Sequence, residues 1–164
     1  MIREGAIQSP SPNFKPFKIG ERPIRCVVIH ATATNGIDSP RMWLCNPESK
    51  VSAHYLIGKD GLTYQLVDDN NVAWHAGESE WAGEKWVNGF SIGIELVNKN
   101  DGKDPYPVKQ LGVCTRLVAA LCKEHNIGLK NVVAHADIAP GRKNDPLGFP
   151  WGDFRNALED AVAA

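Results

Sequence analysis

The sequence predicts an α/β fold, a single central mixed β-sheet flanked by α-helices, and three features point to it. The runs RCVVIH, FSIGIELVN and NVVAH have the near-continuous hydrophobicity of strands buried on both faces. Leu111, Cys114, Leu117, Val118, Leu121 and Cys122 recur at three and four residues, the period of an amphipathic helix over Val108 to His125. Strands and helices are mixed along one chain, and one sheet with helices packed on its faces is the economical way to bury both.

Taken in order, residues 1–23 hold Pro10, Pro12, Pro16 and Pro23 with little periodicity and predict an extended arm lying over the domain. The first buried strand begins near Arg25 and ends at His30, and ATATNG follows as a loop. Asp38 and Ser39 ahead of Pro40 predict a helix N-cap with proline in the first turn, hence a short helix from Pro40 to Cys45. SAHYLIGKDGLTYQLV predicts a hairpin turning at Asp60 and Gly61. Between Asn70 and Gly89, Trp74, Trp81 and Trp86 stand among Gly, Glu and Asn, a composition expected of a surface loop bordering a site. FSIGIELVN is the second buried strand and contains a carboxylate, Glu95, in apolar surroundings. After the long helix, Gly128 is the expected stop, NVVAH a short strand ending at His135, and Trp151 to Ala163 a final helix.

With 164 residues and 43% hydrophobic content, the chain can fill one core, so residues 1–164 are expected to form a single domain and a monomer. A net charge of -1, with 18 scattered basic residues, argues against nucleic acid or an anionic membrane as partners. The apolar runs are far short of the roughly 20 residues that span a bilayer, which argues against membrane insertion. Polar residues and prolines stand where a secretory signal would have its apolar core, so a cytoplasmic location as synthesised is expected unless something else releases the protein. Cys26, Cys45, Cys114 and Cys122 show no CxxC pair; Cys26, Cys114 and Cys122 fall at apolar positions and are expected to be reduced core residues.

The chemistry concentrates at strand ends, where open sheets place their ligands. His30 and His135 each end a predicted strand, and two such imidazoles can face one cation, with a third ligand from DIAPGRKND, either Asp145 or Asp137. Two imidazoles and a carboxylate suit zinc, whose catalytic sites keep a fourth position for water. A hydrogen-bonded structural histidine is the competing reading for each.

CVVIHATAT, SAHYLIGKDG, AWHAG, FSIGIELVN and VVAHADIAPGRKNDPLGFPW, in this order and spacing, resemble the type 2 N-acetylmuramoyl-L-alanine amidases over roughly residues 9 to 158. The resemblance implies a zinc enzyme that cuts the bond between the lactyl group of N-acetylmuramic acid and L-alanine in peptidoglycan or muropeptides. It also implies an amidase or peptidoglycan-recognition-like fold. His30, His135 and Asp145 match the zinc ligands, and Glu95 and Lys143 the catalytic glutamate and lysine. Aspartate at the third ligand points away from the phage relatives that use cysteine there. In this reading zinc lowers the pKa of water from about 16 toward about 7, Glu95 moves the proton, and Lys143 steadies the oxyanion.

His54 and His75 occur in family motifs and either line the cleft or serve as structural histidines; Trp81 and Trp86 either stack on substrate or pack within their loop. Arg142 and Asp137 lie beside the ligands, as substrate contacts or supports of the ligand set. His125, closing the long helix, reads as structural. Relatives often have DPG where this chain has DPLGF, so Leu147 is expected to alter the cleft floor. The intact ligand set favours an enzyme, either a bacteriolytic phage-type lysin that would reach the cell wall by holin-type release or a recycling amidase, over a noncatalytic peptidoglycan-binding module or a zinc peptidase for another amide.

Overall fold

A computed structural model describes residues 1–164. Its strands are β1 (Ile7–Gln8), β2 (Phe14–Lys15), β3 (Cys26–Ala31), β4 (Tyr55–Ile57), β5 (Thr63–Gln65), β6 (Val72–Ala73), β7 (Glu80–Trp81), β8 (Glu84–Lys85), β9 (Ser91–Leu96) and β10 (Val132–Ala134). Its helices are α1 (Asp38–Leu44), α2 (Val108–His125), α3 (His135–Ile138) and α4 (Trp151–Ala163). Six strands form the central sheet in the order β1-β5-β4-β9-β3-β10. Neighbours from β4 through β10 are parallel, β4 and β5 form the antiparallel hairpin, and β1 runs parallel to β5, so the sheet is mixed as the sequence predicts.

Side chains alternate across this sheet, and the alternation decides where everything else goes. One face carries Val27, Ile29, Tyr55, Ile57, Ile92, Ile94, Leu96 and Val132, which pack with Cys114, Leu117, Val118, Leu121 and Cys122 of α2 and Phe154 and Leu158 of α4. The apolar stripe read from the sequence of α2 is the one buried here. Asn126 closes α2 in the left-handed region, at φ 54°, just ahead of the expected stop at Gly128, which lies beyond in extended backbone. Asparagine tolerates that conformation, so the glycine is not needed for it.

The opposite face carries Cys26, Val28, His30, Ser91, Gly93 and Glu95. It is covered by small clusters built from Ala76, Val87, Phe90, Val133 and Ile138, and from Leu44, Leu56, Leu66, Val67, Ala73 and Val97. Residues 70–89 are therefore a partly buried cover rather than the surface loop expected: they contain β6, the β7–β8 hairpin and the buried His75, Ala76 and Val87. The arm is tied down by backbone pairing, β1 onto β5 and β2 onto β6. Arg3 adds contacts to Tyr55, Asp69 and Glu124. Helix α1 begins at Asp38 with Ile37 as its cap and no side-chain capping bond, so the expected cap at Asp38 or Ser39 lies inside the helix. All four cysteines are free, with Cys26, Cys114 and Cys122 buried. No helix is long and apolar enough to cross a membrane.

Candidate active site

Register brings the two strand-end histidines together. Ala134 lies opposite Ile29 on the adjacent parallel strand, so the next residues, His135 and His30, fall side by side. On the other flank His30 pairs directly with Glu95 of β9. His135 opens α3 rather than closing β10, and this change of direction turns its ring back toward His30. Asp145 arrives from the loop after α3, anchored by its own carbonyl accepting from Ala136 N–H at 3.0 Å and its Oδ2 accepting from Ala31 N–H at 3.2 Å.

The result is a compact donor cluster. His30 Nδ1 and His135 Nδ1 are 2.9 Å apart, Asp145 Oδ1 is 3.2 Å from His135 Nδ1, and Asp145 Oδ2 is 3.6 Å from His30 Nδ1. Atoms held tetrahedrally at about 2.0–2.1 Å from one zinc ion would stand roughly 3.3 Å from each other, and the three observed separations bracket that value. All three residues are buried. Asp137, the alternative third ligand, accepts from Ala134 N–H at 2.9 Å and so caps its own turn.

Burial sets the charge states. Removal from water pulls His30 down to about 3, helped by His135 and Lys143 and opposed by Asp145, which keeps the ring neutral and able to offer a lone pair. Burial tends to raise the Asp145 carboxyl, but the hydrogen bond to His135 and the histidine and Ala31 N–H neighbours prevail and hold it below the usual carboxylate range. Glu95 is pushed up to about 8, by burial first and by Asp145 second, with Lys143 opposing. Its Oε1 lies 3.9 Å from His30 Nδ1, and its Oε2 is buried with no hydrogen-bond partner. An orphaned carboxylate oxygen beside such a donor set is a costly feature in a purely structural role.

This cluster lies in a cleft of about 1060 Å³. His30, His75, His135, Glu95, Arg142, Lys143 and Asp145 line it, together with Thr34, Trp43, Trp74, Asn100 and Asn144. Arg142 Nη2 donates to Ala76 O at 2.7 Å and Glu78 O at 2.8 Å, fastening the cover segment beside the ligands.

His54 is fully buried outside the cleft lining. Its Nδ1 accepts from Gly93 N–H at 3.1 Å and its Nε2 donates to Asn71 O at 2.8 Å, which makes it a structural histidine. Trp81 and Trp86 also lie outside the lining: Trp81 Nε1 donates to Asn131 Oδ1, and Trp86 lies over Gly89 with Lys15 above its ring. The aromatic residues of the cleft are instead Trp43 and Trp74. Trp74 directly precedes His75 in the AWHAG motif, a signal that could have singled it out, whereas nothing in the local sequence marks Trp43. Leu147 packs toward Gly102 and its N–H donates to Asn100 Oδ1, so the departure at DPLGF falls beside the cleft rather than on its floor.

Two imidazole lone pairs and a carboxylate converge under an open cleft, a donor set able to hold a metal ion, with a raised carboxylic acid alongside. Comparison with known proteins supplies the family: the model described as N-acetylmuramoyl-L-alanine amidase matches residues 20–148, and the chain belongs to that family. The chain is 40% identical over 144 residues to N-acetylmuramoyl-L-alanine amidase AmiD of Escherichia coli K12, covering 78% of this chain and 51% of AmiD. It is 35% identical over 170 residues to 1,6-anhydro-N-acetylmuramyl-L-alanine amidase AmpD of the same organism, covering 92% of this chain and 91% of AmpD. The chain thus spans about half the length of AmiD and nearly all of AmpD. The solved complex of E. coli AmiD with anhydro-N-acetylmuramic acid-L-Ala-D-γ-Glu-L-Lys superimposes with a TM-score of 0.76 at 35% identity, over 86% of this chain and 60% of that one.

Proposed function

We propose that this protein hydrolyses the amide between the lactyl group of N-acetylmuramic acid and L-alanine in muropeptides, using zinc held by His30, His135 and Asp145. The observation that carries this reading is the pairing of a buried His–His–Asp donor triangle with the unpartnered Oε2 of Glu95 in one cleft. Zinc bound there would supply Lewis acidity, making water acidic enough to lose a proton near neutral pH and polarising the amide carbonyl.

Burial raises the proton affinity of Glu95 in its apolar strand, and a cation bound beside it would favour the carboxylate form, which can accept the proton of the attacking water. As the carbon–oxygen bond forms and the carbon–nitrogen bond breaks, Glu95 returns that proton to the departing alanine nitrogen. Lys143 lines the same cleft and offers positive charge to the oxyanion. Residues 1–164 act in this reading as one domain, with the arm contributing the edge strand β1. Soluble anhydro-muropeptide is the favoured substrate form, because the similar proteins AmiD and AmpD are both described with anhydro-muramyl compounds.

The test is zinc-loaded protein incubated with anhydro-muramyl tripeptide and, separately, with intact sacculi. A new free amine on L-alanine, seen by mass spectrometry, is the expected product. Glu95→Ala should retain zinc and lose turnover by about 100- to 10,000-fold. Muropeptide bound by the zinc-loaded parent without cleavage would make the protein a binding module and end this proposal.

A further inference from the structure

The deepest part of the site contains a hydrogen-bonded relay beyond the three donors. His30 Nε2, on the far side of the ring from the donor triangle, is 2.9 Å from His75 Nδ1, with the two rings at 88° to each other. His75 Nε2 is in turn 2.9 Å from Ser91 Oγ. His75 is held on several sides. Asn88 Oδ1 accepts from His75 N–H and Ala76 N–H, and the His75 ring lies over Gly93, where a Cβ would come within 2.4 Å of His75 Cγ. Ser91 is fixed from behind, because the buried Arg22 donates to its carbonyl. Both nitrogens of His75 are therefore engaged, and neither is left for a substrate.

Each neutral imidazole carries one N–H and one lone pair, so this relay can run in only two directions. In one, Ser91 Oγ–H donates to His75 Nε2, His75 Nδ1–H donates to His30 Nε2, and His30 presents an Nδ1–H to the donor triangle. In the other, His30 Nε2–H donates to His75 Nδ1, His75 Nε2–H donates to Ser91 Oγ, and His30 presents a lone pair. Only the second can ligate a cation. His135 needs no such help, because its Nε2 faces Ala76 O at 3.2 Å, and a carbonyl can only accept.

We propose that His75, backed by Ser91, is a positioning residue that selects the metal-ligating tautomer of His30. The inference rests on the zinc reading above, but it concerns the order in the relay rather than the reaction. Partners of this kind orient a ligating ring and raise its basicity, and their loss typically weakens metal affinity about 10- to 100-fold.

The experiment is competition for zinc against a chelator, with the melting of the metal-free protein recorded alongside. His75→Phe keeps the ring over Gly93 but accepts no hydrogen bond, and it should weaken zinc binding about 10- to 100-fold. His75→Asn, whose Oδ1 can stand near the place of Nδ1, should recover most of that loss. Zinc affinity in a folded His75→Phe equal to the parent's would overturn the proposal. Imidazole nitrogen NMR of the zinc-loaded parent needs no variant. Protons on Nε2 of both His30 and His75 are expected, and a proton on Nδ1 of His75 would refute the inference even if His75→Phe failed to fold. Neither measurement involves peptide. Protein that shows these tautomers yet leaves muropeptide intact would refute the proposed function and keep this inference.

Discussion

On one face of the central sheet, β3 and β9 present Val27, Ile29, Ile92, Ile94 and Leu96 to two long helices; on the other, the same strands present Val28, His30, Ser91, Gly93 and Glu95 to short, irregular segments. The apolar face is covered by α2 and α4, whose apolar side chains repeat at helical spacing and pack without directional bonds. The other face is held by directional bonds. Both nitrogens of His54 and His75, and Nε2 of His30 and of His135, have a defined partner, and a buried polar group without one costs about 1–3 kcal/mol. Hydrophobic burial is non-directional and stabilises the scaffold, whereas directional bonds on the opposite face fix the chemistry.

The largest expected effect separates the two faces by function alone. Lys143 is exposed at the cleft mouth and carries no core contact, yet its charge acts on both Glu95 and His30. Lys143→Met should lower turnover about 100- to 1000-fold, the usual loss when one oxyanion donor is removed. Stability should change by no more than about 0.5 kcal/mol. A steady-state assay paired with urea unfolding checks both. Turnover within a fewfold of the parent would remove Lys143 from the chemistry.

A smaller effect tests the polar face through pH. Burial first, and the charge of Arg22 second, hold the folded pKa of His54 down to about 3 from an unfolded value of 6.5. The unfolded chain therefore takes up this proton first as the pH falls. His54 contributes its full stability above pH 6.5, and loses it progressively as the pH drops toward about 3. Between pH 7 and pH 5 its share is about 2 kcal/mol. In chelator-treated protein, urea unfolding at those two pH values should show a steeper decline for the parent than for His54→Gln, by about that amount. Equal declines would mean that His54 is not buried as a neutral ring.

The same contrast explains what could be read from sequence. His30, His135 and Glu95 were legible because they stand as isolated polar residues at the ends or in the middle of apolar strands, whereas in the polar loop DIAPGRKND the residues alone left Asp145 and Asp137 open and only the ordered motifs singled out Asp145 and Lys143. The boundaries of α2 and α4 were legible because helical periodicity is a property of a local window. Ser91 and Gly93 were not, since FSIGIELVN is buried on both faces and its small residues blend into a continuous apolar run. Nor was the burial of residues 70–89. Their backbone is satisfied by specific side chains, Trp74 N–H donating to Ser52 Oγ and Ala76 N–H to Asn88 Oδ1, and a polar composition does not reveal such pairings. Trp43 enters the cleft through the placement of α1, a long-range arrangement that its own neighbours in sequence do not encode.

The smallest effect sharpens the comparison from the apolar side. Ile94 and Glu95 are consecutive in β9, so their side chains leave the backbone in opposite directions, one into the fully buried cluster and the other into the cleft. Ile94→Val deletes one methylene from a site that is 0% exposed and should reduce stability by about 0.5–1.5 kcal/mol. Val has the same β-branched shape and strand preference, so the backbone that aims Glu95 has no cause to move. Turnover per folded molecule should then stay within about twofold of the parent, since a shift of even 1 Å at the chemistry can cost about 100-fold. A marked loss of turnover at unchanged zinc content would show that packing on the helical face is transmitted through β9 to the carboxylate, and that the two faces are mechanically coupled rather than separate.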